Sequence, residues 1–337
     1  MFSIQKIRRR SKIKLIALRL AGASLLGSAL LGMSAPCAQN YPGKVVRIIV
    51  PQPPGGGTDA TARILAEKFR ETFGQPFIIE NKPGATGNIG IDYVAKSAPD
   101  GHTLLVVANN FTSNQLMFSK LPFDVVKDFA PVALLGSSPV MLGGGISLPA
   151  HSLAELISYA RAHPGKLTYA SCGSGSPQHI AGEMLNAVAH LDLVHVPFKG
   201  CALPIPDVIG GRVDLAFNTL SNLRPHILSG RIRAYAVTTV KRSSFAPDIP
   251  TFQESGVPGY DLDIWFGLLA PTGVPREIVT RLNAEVNRAL ASSDMREKLA
   301  AQFFEPTGGT PEQFAELIKQ DLLRFGKVVR DANIRPE

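Results

Sequence analysis

The chain has 337 residues, 45% of them hydrophobic and 18% charged, a balance that supports a packed core and excludes a largely disordered polymer. Its formal net charge of +8 is carried mostly by one end: Lys6, Arg8, Arg9, Arg10, Lys12, Lys14 and Arg19 lie in the first 38 residues, leaving 28 basic against 27 acidic residues in the rest. A near-neutral body takes away the main support for nucleic-acid binding, which needs a basic footprint on the folded domain, so no nucleic-acid partner is expected.

The first 38 residues read as a secretory signal peptide. A basic stretch without acidic residues leads into the apolar run Leu20 to Met33 and ends at the small residues Ser34-Ala35-Pro36-Cys37-Ala38. Ala38 is the expected last residue. Pro36 before Cys37, with no leucine three positions ahead of it, argues against lipidation. Twin-arginine export is disfavoured because Lys12 follows Arg9-Arg10-Ser11. About 300 mature residues predict two domains. Cys172 and Cys201 then remain, free to pair in an oxidising compartment, although their spacing alone does not establish a bridge.

The elements that follow alternate strand and helix. The apolar run Val45 to Val50 predicts a strand that ends in the glycine turn Pro53-Pro54-Gly55-Gly56-Gly57-Thr58-Asp59. Ala62, Leu65, Ala66, Phe69 and Phe73 follow helical spacing, and Gly74 supplies the stop. Phe77 to Glu80 predicts a second strand, followed by a second turn, Asn81-Lys82-Pro83-Gly84-Ala85-Thr86-Gly87-Asn88-Ile89-Gly90. A helix over 89–98 and a strand over 103–108 complete the pattern. Such alternation implies parallel strands flanked by helices, with ligands beyond the carboxyl ends of the strands.

The apolar stretch Phe129 to Ile146 reads as a crossing into a second domain. There Ser152-Leu153-Ala154-Glu155 opens a helix with a capping box, and Pro164-Gly165 closes it. Strands are expected over 167–170, 194–197, 214–217 and 232–238, with helices over 179–189, near 206–210 and around 222–228. The stretch Lys241 to Tyr260 reads as a loop returning to the first domain. A strand from Leu262 to Ala270 and two helices finish the chain. One carries Ile278, Leu282, Val286 and Leu290 on one face. The other opens with Thr310-Pro311-Glu312-Gln313. The expected division is 39–138 with 241–337 as a discontinuous first domain and 139–240 as the second: two α/β lobes joined by two crossings around a cleft.

Each glycine turn brings bare backbone N–H groups and a helix N-terminus to one place, which suits an oxyanion. Candidate ligand contacts are therefore Gly56, Gly57 and Thr58 of the first turn and Gly84, Ala85, Thr86, Gly87 and Asn88 of the second. Thr58 or Asp59 would cap the first helix, and Asp59 would suit a ligand only if it carried an ammonium group. In the second lobe Gly173, Ser174 and Ser176 follow a strand and open a helix. Lys199 reads either as a solvated charge or as a counter-ion, and Asn218 ends a strand where it can read ligand identity. The seven histidines show no metal-ligand spacing, so satisfied structural roles are expected for them. No nucleophile elbow, P-loop or metal set is present, so catalysis is not expected and no cofactor is implied.

The mature chain resembles the substrate-binding proteins of tripartite tricarboxylate transporters, also called Bug receptors. The matching blocks run in order: Tyr41-Pro42 with Val50 to Asp59, Glu80 to Gly90, Pro99-Asp100-Gly101-His102-Thr103-Leu104-Leu105, Leu121-Pro122-Phe123-Asp124 with Asp128-Phe129, Pro164-Gly165-Lys166-Leu167, His195-Val196-Pro197-Phe198-Lys199-Gly200, Ala236-Val237-Thr238, Trp265-Phe266-Gly267 and Ala270-Pro271. The resemblance implies a periplasmic two-lobed receptor of the type II binding-protein fold. Such a receptor holds a small carboxylate through the two first-lobe turns and serves a membrane permease. The alternative partner is a membrane sensor, and a monomer is expected. Several positions depart from the family pattern. Gln52 stands where Phe is frequent, Leu203-Pro204 replaces Pro-Ala, Asn218-Thr219 replaces Asp-Asn, and Cys172 and Cys201 replace Ser or Thr.

A single turn is marginal as a binding site. A charge-assisted hydrogen bond contributes about 1.5–3 kcal/mol, and micromolar capture needs about −8 kcal/mol net of the entropy of association. Two turns under a closing second lobe are adequate.

Overall fold

The computed structural model describes residues 41–118, 120–332 and 334. The signal-peptide reading falls on residues outside this set. The body from Pro42 onward is one compact unit that contains two sheets. No described helix is long and apolar enough to cross a membrane.

The first lobe is built on a six-stranded sheet. In chain order, β1 is Val46–Val50, β2 Phe77–Asn81, β3 Thr103–Ala108 and β4 Phe129–Ser138; β10 (Ile264–Pro271) and β11 (Glu305–Pro306) return to it much later. The order across the sheet is β11-β4-β10-β3-β1-β2. β1 runs parallel to both β2 and β3, as the alternating pattern predicts, whereas β10 is antiparallel to β3 and β4. Purely parallel pairing therefore does not hold, because the returning strand enters from the opposite end.

The second sheet has the order β7-β6-β8-β5-β9, with β5 Val140–Gly145, β6 Thr168–Ser171, β7 Val194–Pro197, β8 Leu215–Thr219 and β9 Ile232–Val237. Phe129 to Ile146 is not a bare crossing. It is two strands, one in each sheet, and only Pro139 separates them. Its continuous apolar character follows from that: both strands are buried along most of their length.

Helices cover the sheets. α1 (Gly57–Phe73) buries Ala62, Leu65, Ala66 and Phe69, and Gly74 ends it in the left-handed conformation at φ 67. α2 (Asn88–Ala95) and α3 (Asn110–Met117) follow the next two strands. The second lobe carries α4 (Leu153–Ala162), α5 (Pro177–Ala189), α6 (Pro204–Ile209) and α7 (Leu220–Leu228). The chain closes with α8 (Arg276–Ala291), α9 (Ser293–Ala300) and α10 (Pro311–Asp331). α10 has the full capping box expected at Thr310 and Gln313.

Trp265 lies in the first-lobe core against Phe314, with ring centroids 5.2 Å apart, and donates its indole N–H to the buried Asp321 at 2.6 Å. Residues 241–260 are more than a linking loop. Ala246 belongs to the second-lobe core, and Phe252 is fully buried between Phe217 and Tyr260. The Tyr260 hydroxyl donates to the Ala181 carbonyl of α5.

Candidate functional site

Both glycine turns leave the carboxyl ends of parallel strands. The first joins β1 to α1, and the second joins β2 to α2. At α1 the N-cap is Gly56, with no side-chain cap, which corrects the expectation of a cap at Thr58 or Asp59. Asp59 instead reaches back. Its Oδ2 accepts from the Gly55 N–H at 3.0 Å and from Arg63 at 2.9 Å, and its Oδ1 accepts from Asn81 at 2.9 Å. Burial works to raise its pKa, but these three donors outweigh it and hold the carboxyl below the usual range. Both oxygens are engaged, so Asp59 braces the turn.

The second turn is more unusual. Gly84, Ala85, Thr86 and Gly87 have successive φ values of 126, 46, 56 and 97. Two of them are not glycine, a conformation that persists only where neighbours enforce it. α3 does so. Asn110 and Asn114 each donate a side-chain N–H to the Thr86 carbonyl, at 3.1 and 3.0 Å, and Asn114 also donates to Asn88 Oδ1 at 2.7 Å. The turns are tied to each other through the same amides. Gln52 Nε2 donates to Asn110 Oδ1 at 3.3 Å, and Asn81 donates to the Gln52 carbonyl at 3.1 Å. Gly90 brings α2 close enough that a Cβ there would lie 2.7 Å from the Lys82 carbonyl and 2.9 Å from Pro51 Cβ.

The helix N-termini around these turns share a property. α1 and α2 begin at Gly56 and Gly87 with no side-chain cap, as does α3. Elsewhere Ser152, Ser292 and Thr310 cap α4, α9 and α10, whereas α8 begins at Pro275 without a side-chain cap. First-turn N–H groups have no partner within the helix. Leaving them uncapped at one place keeps donors and positive helix ends for an anion.

The second lobe meets this region directly. Ser113 of α3 donates to the Gly175 carbonyl at 3.1 Å, so the loop holding Gly173, Ser174 and Ser176 meets α3, the helix that grips the second turn. Ser176 caps α5 by accepting from the His179 N–H at 3.2 Å. Cys172 and Cys201 are joined by a disulfide, with Cα atoms 4.4 Å apart, so this loop is tied to the one that carries Lys199. Asn218 is fully buried and holds the same loop: Nδ2 donates to the Cys201 carbonyl at 2.6 Å, while Oδ1 accepts from the Thr219 N–H and from Asn222. Its role is therefore positioning more than direct readout. Lys199 is exposed.

Two histidines buttress the loop from beneath, in the structural roles expected of them. His179 Nδ1 accepts from the Gly175 N–H at 3.0 Å, and His195 Nε2 pairs with the Ser171 hydroxyl at 2.7 Å. The rings stack with centroids 3.7 Å apart. Burial pushes His179 down to about 4; burial and its neighbour push His195 down to about 3. Both are neutral near pH 7, so each ring keeps one donor and one acceptor nitrogen, and His179 Nδ1 is the acceptor for the Gly175 N–H.

Sequence reasoning missed the amides of Gln52, Asn81, Asn110 and Asn114. A signal was present in Asn109-Asn110-Phe111-Thr112-Ser113-Asn114, a polar run directly after the fully buried strand β3. An open groove of about 900 Å³ also lies on the first lobe, lined among others by Arg47, Tyr93 and Lys96. It is at the opposite, amino ends of β1 and β3, and its cations are already paired: Lys44 with Asp100, Lys96 with Asp92, and Arg47 with Glu80.

Comparison with known proteins agrees with this architecture. The family described as tripartite tricarboxylate transporter family receptor matches residues 61–334. A UPF0065 protein from the tcbD–tcbE intergenic region of Pseudomonas sp. strain P51 is 37% identical over 290 residues, covering 86% of each chain. Among solved structures, Rpa4515 of R. palustris with adipate is 38% identical with a TM-score of 0.79, covering 88% of this chain and all of the other. MatC (Rpa3494) from Rhodopseudomonas palustris with bound malate is 36% identical with a TM-score of 0.74, covering 86% of this chain and all of the other. The two-lobed fold and the family match settle the classification: this chain belongs to the receptors of the tripartite tricarboxylate transporter family.

Proposed function

We propose that the protein is a periplasmic solute-binding receptor that captures a small carboxylate between its lobes and delivers it, chemically unchanged, to a membrane permease. The observation that carries this reading is the pair of uncapped turns, locked to one another by amides and met by the Gly173–Ser176 loop of the second lobe. Related receptors of the same fold hold adipate and malate, both dicarboxylates. In this proposal the backbone N–H groups of Gly56, Gly57 and Thr58, and of Gly84, Ala85 and Thr86, receive the carboxylate, while those of Gly87 and Asn88 close the second turn onto the Gly84 and Ala85 carbonyls. Gly173, Ser174 and Ser176 close over it, Lys199 supplies a counter-charge at the rim, and Asp59 and Asn218 hold the turns in place. The lobes hinge at Pro139 and again near Leu262, because Ala246, Phe252 and Tyr260 pack with the second lobe.

The test uses processed protein purified after export, unfolded and refolded to remove any bound solute. Mono-, di- and tricarboxylates and amino acids are then screened by thermal shift. A ligand at 100 times its Kd stabilises the fold by about 2.7 kcal/mol. A hit recovered unaltered supports the receptor, whereas silence across the acids, or turnover of one, refutes it.

A further inference from the structure

We propose that Ser113 is the latch of the clamp: a positioning residue whose hydroxyl holds the second lobe's Gly173–Ser176 loop against α3. It thereby sets how long a captured acid stays without touching the acid, and this rests on the receptor reading above. The contact joins two fixed points. On the first lobe, Asn109 donates to the Asp263 carbonyl at 2.8 Å, and Asn110 and Asn114 donate to the Thr86 carbonyl, so α3 is tied to the second crossing and to the second turn. Ser113, fully buried between them, donates to the Gly175 carbonyl at 3.1 Å. On the second lobe, the Gly175 N–H is held by His179 Nδ1 at 3.0 Å, and the Cys172–Cys201 disulfide ties the start of the loop. The approach is close: a Cβ on Gly175, whose φ is 74, would lie 3.1 Å from Met117 Cγ of α3.

The place of this bond makes it a latch. β6, which leads to Gly175, is separated from the crossing strand β5 by β8, so the contact lies away from the pivot. Other hydrogen bonds between the lobes lie beside it. The Ser243 hydroxyl and the Ser244 N–H donate to Glu305, which pairs with Ser137 just before Pro139, and Arg324 holds Asp261 next to Leu262. Rotation about the crossings changes those contacts little, whereas it separates Ser113 from Gly175. The Ser113 hydroxyl also has an acceptor within its own helix, the Asn110 carbonyl at 3.3 Å. One proton serves one acceptor well. When the lobes part, the hydroxyl turns to Asn110 and the Gly175 carbonyl to water, so opening leaves neither group unpaired. The bond therefore favours the closed arrangement by its modest net contribution, which prolongs residence and still permits release.

The test follows release. Refolded native protein, Ser113→Ala, Gly175→Ala and Thr112→Val are each loaded with radiolabelled malate, adipate, succinate, citrate or glutamate and diluted into excess unlabelled acid. Ser113→Ala deletes one oxygen and should release every acid that the native protein holds about three- to tenfold faster, with the ranking of the acids unchanged. Gly175→Ala sets a methyl against Met117 and should speed release from the other side of the contact. Thr112→Val is the control: this neighbouring buried hydroxyl donates to the Asn109 carbonyl of its own helix, and its loss should leave release within about twofold of native. Thermal transitions identify the folded variants; a purely structural role would lower the transition and leave release from the loaded protein unchanged. Unchanged release from Ser113→Ala, or equal acceleration by Thr112→Val, overturns the latch and leaves the receptor reading standing. If Ser113→Ala does not fold, unchanged release from Gly175→Ala does the same. Failure of the native protein to hold any of these acids overturns both.

Discussion

Lowering the pH from 8 to 5 should weaken the fold through the stacked pair His179 and His195, and the size of the effect follows from their burial. His179 is 7% exposed, and its Nδ1 accepts from the Gly175 N–H, so a proton there would set two donors against each other. Glu183 lies 3.9 Å from His179 Nε2, but its Oε1 already accepts from the Tyr169 hydroxyl at 2.6 Å. With pKa values pushed down to about 4 and about 3, both rings stay neutral in the folded protein at pH 5. The unfolded chain, with histidine near 6.5, takes up protons that the folded chain refuses. Stability is therefore complete above about pH 6.5 and is lost as the pH falls from there toward the folded values. At pH 5 each histidine costs about 2 kcal/mol, and the pair about 4 kcal/mol, a figure set by the unfolded state once the folded values lie well below 5. Urea unfolding of the native protein, His179→Gln and His195→Asn at pH 8, 7, 6 and 5 measures it. Each substitution should reduce the loss between pH 8 and 5 by about 2 kcal/mol, whatever it does to stability at pH 8. Parallel curves for native and variant proteins would refute the reasoning.

Three further outcomes are expected. Replacing Cys172 and Cys201 by Ser opens a loop with a sequence separation of 29 and should lower stability by about 3–4 kcal/mol in denaturant titrations, with dithiothreitol reproducing the loss in the native protein. Gly90→Ala forces a methyl against the Lys82 carbonyl and Pro51, the entries to both turns, and should cost about 1–3 kcal/mol and weaken acid binding together; unchanged calorimetric affinity would contradict the coupling of the turns. Asp59→Ala strands the Gly55 N–H, Asn81 and Arg63, so it should destabilise the protein by about 2–4 kcal/mol and weaken every acid alike, whereas selective loss of amino-acid binding would restore Asp59 as a ligand contact.

What the sequence made legible was local. The Gly55–Gly57 turn, the Thr310 capping box and the periodic face of α8 are each written within a few consecutive residues, so propensity and spacing expose them. The antiparallel entry of β10 was not legible, because it depends on a return across more than a hundred residues. The disulfide was undecided for the same reason: only the fold brings Cys172 and Cys201 within 4.4 Å. Nor could Phe252 and Ala246 be recognised as second-lobe core from a stretch rich in Pro and Ser.

The same distinction runs through the candidate site. The turns Gly56–Thr58 and Gly84–Asn88 are written in consecutive residues, and in the proposed function their free N–H groups receive the oxyanion. The polar side chains first taken as readers, Asp59 and Asn218, are consumed in fixing that geometry: one braces the first turn, the other holds the Cys201 loop. The amides that tie the two turns together, those of Gln52, Asn81, Asn110 and Asn114, come from three separate segments, so their joint role is visible only in the fold.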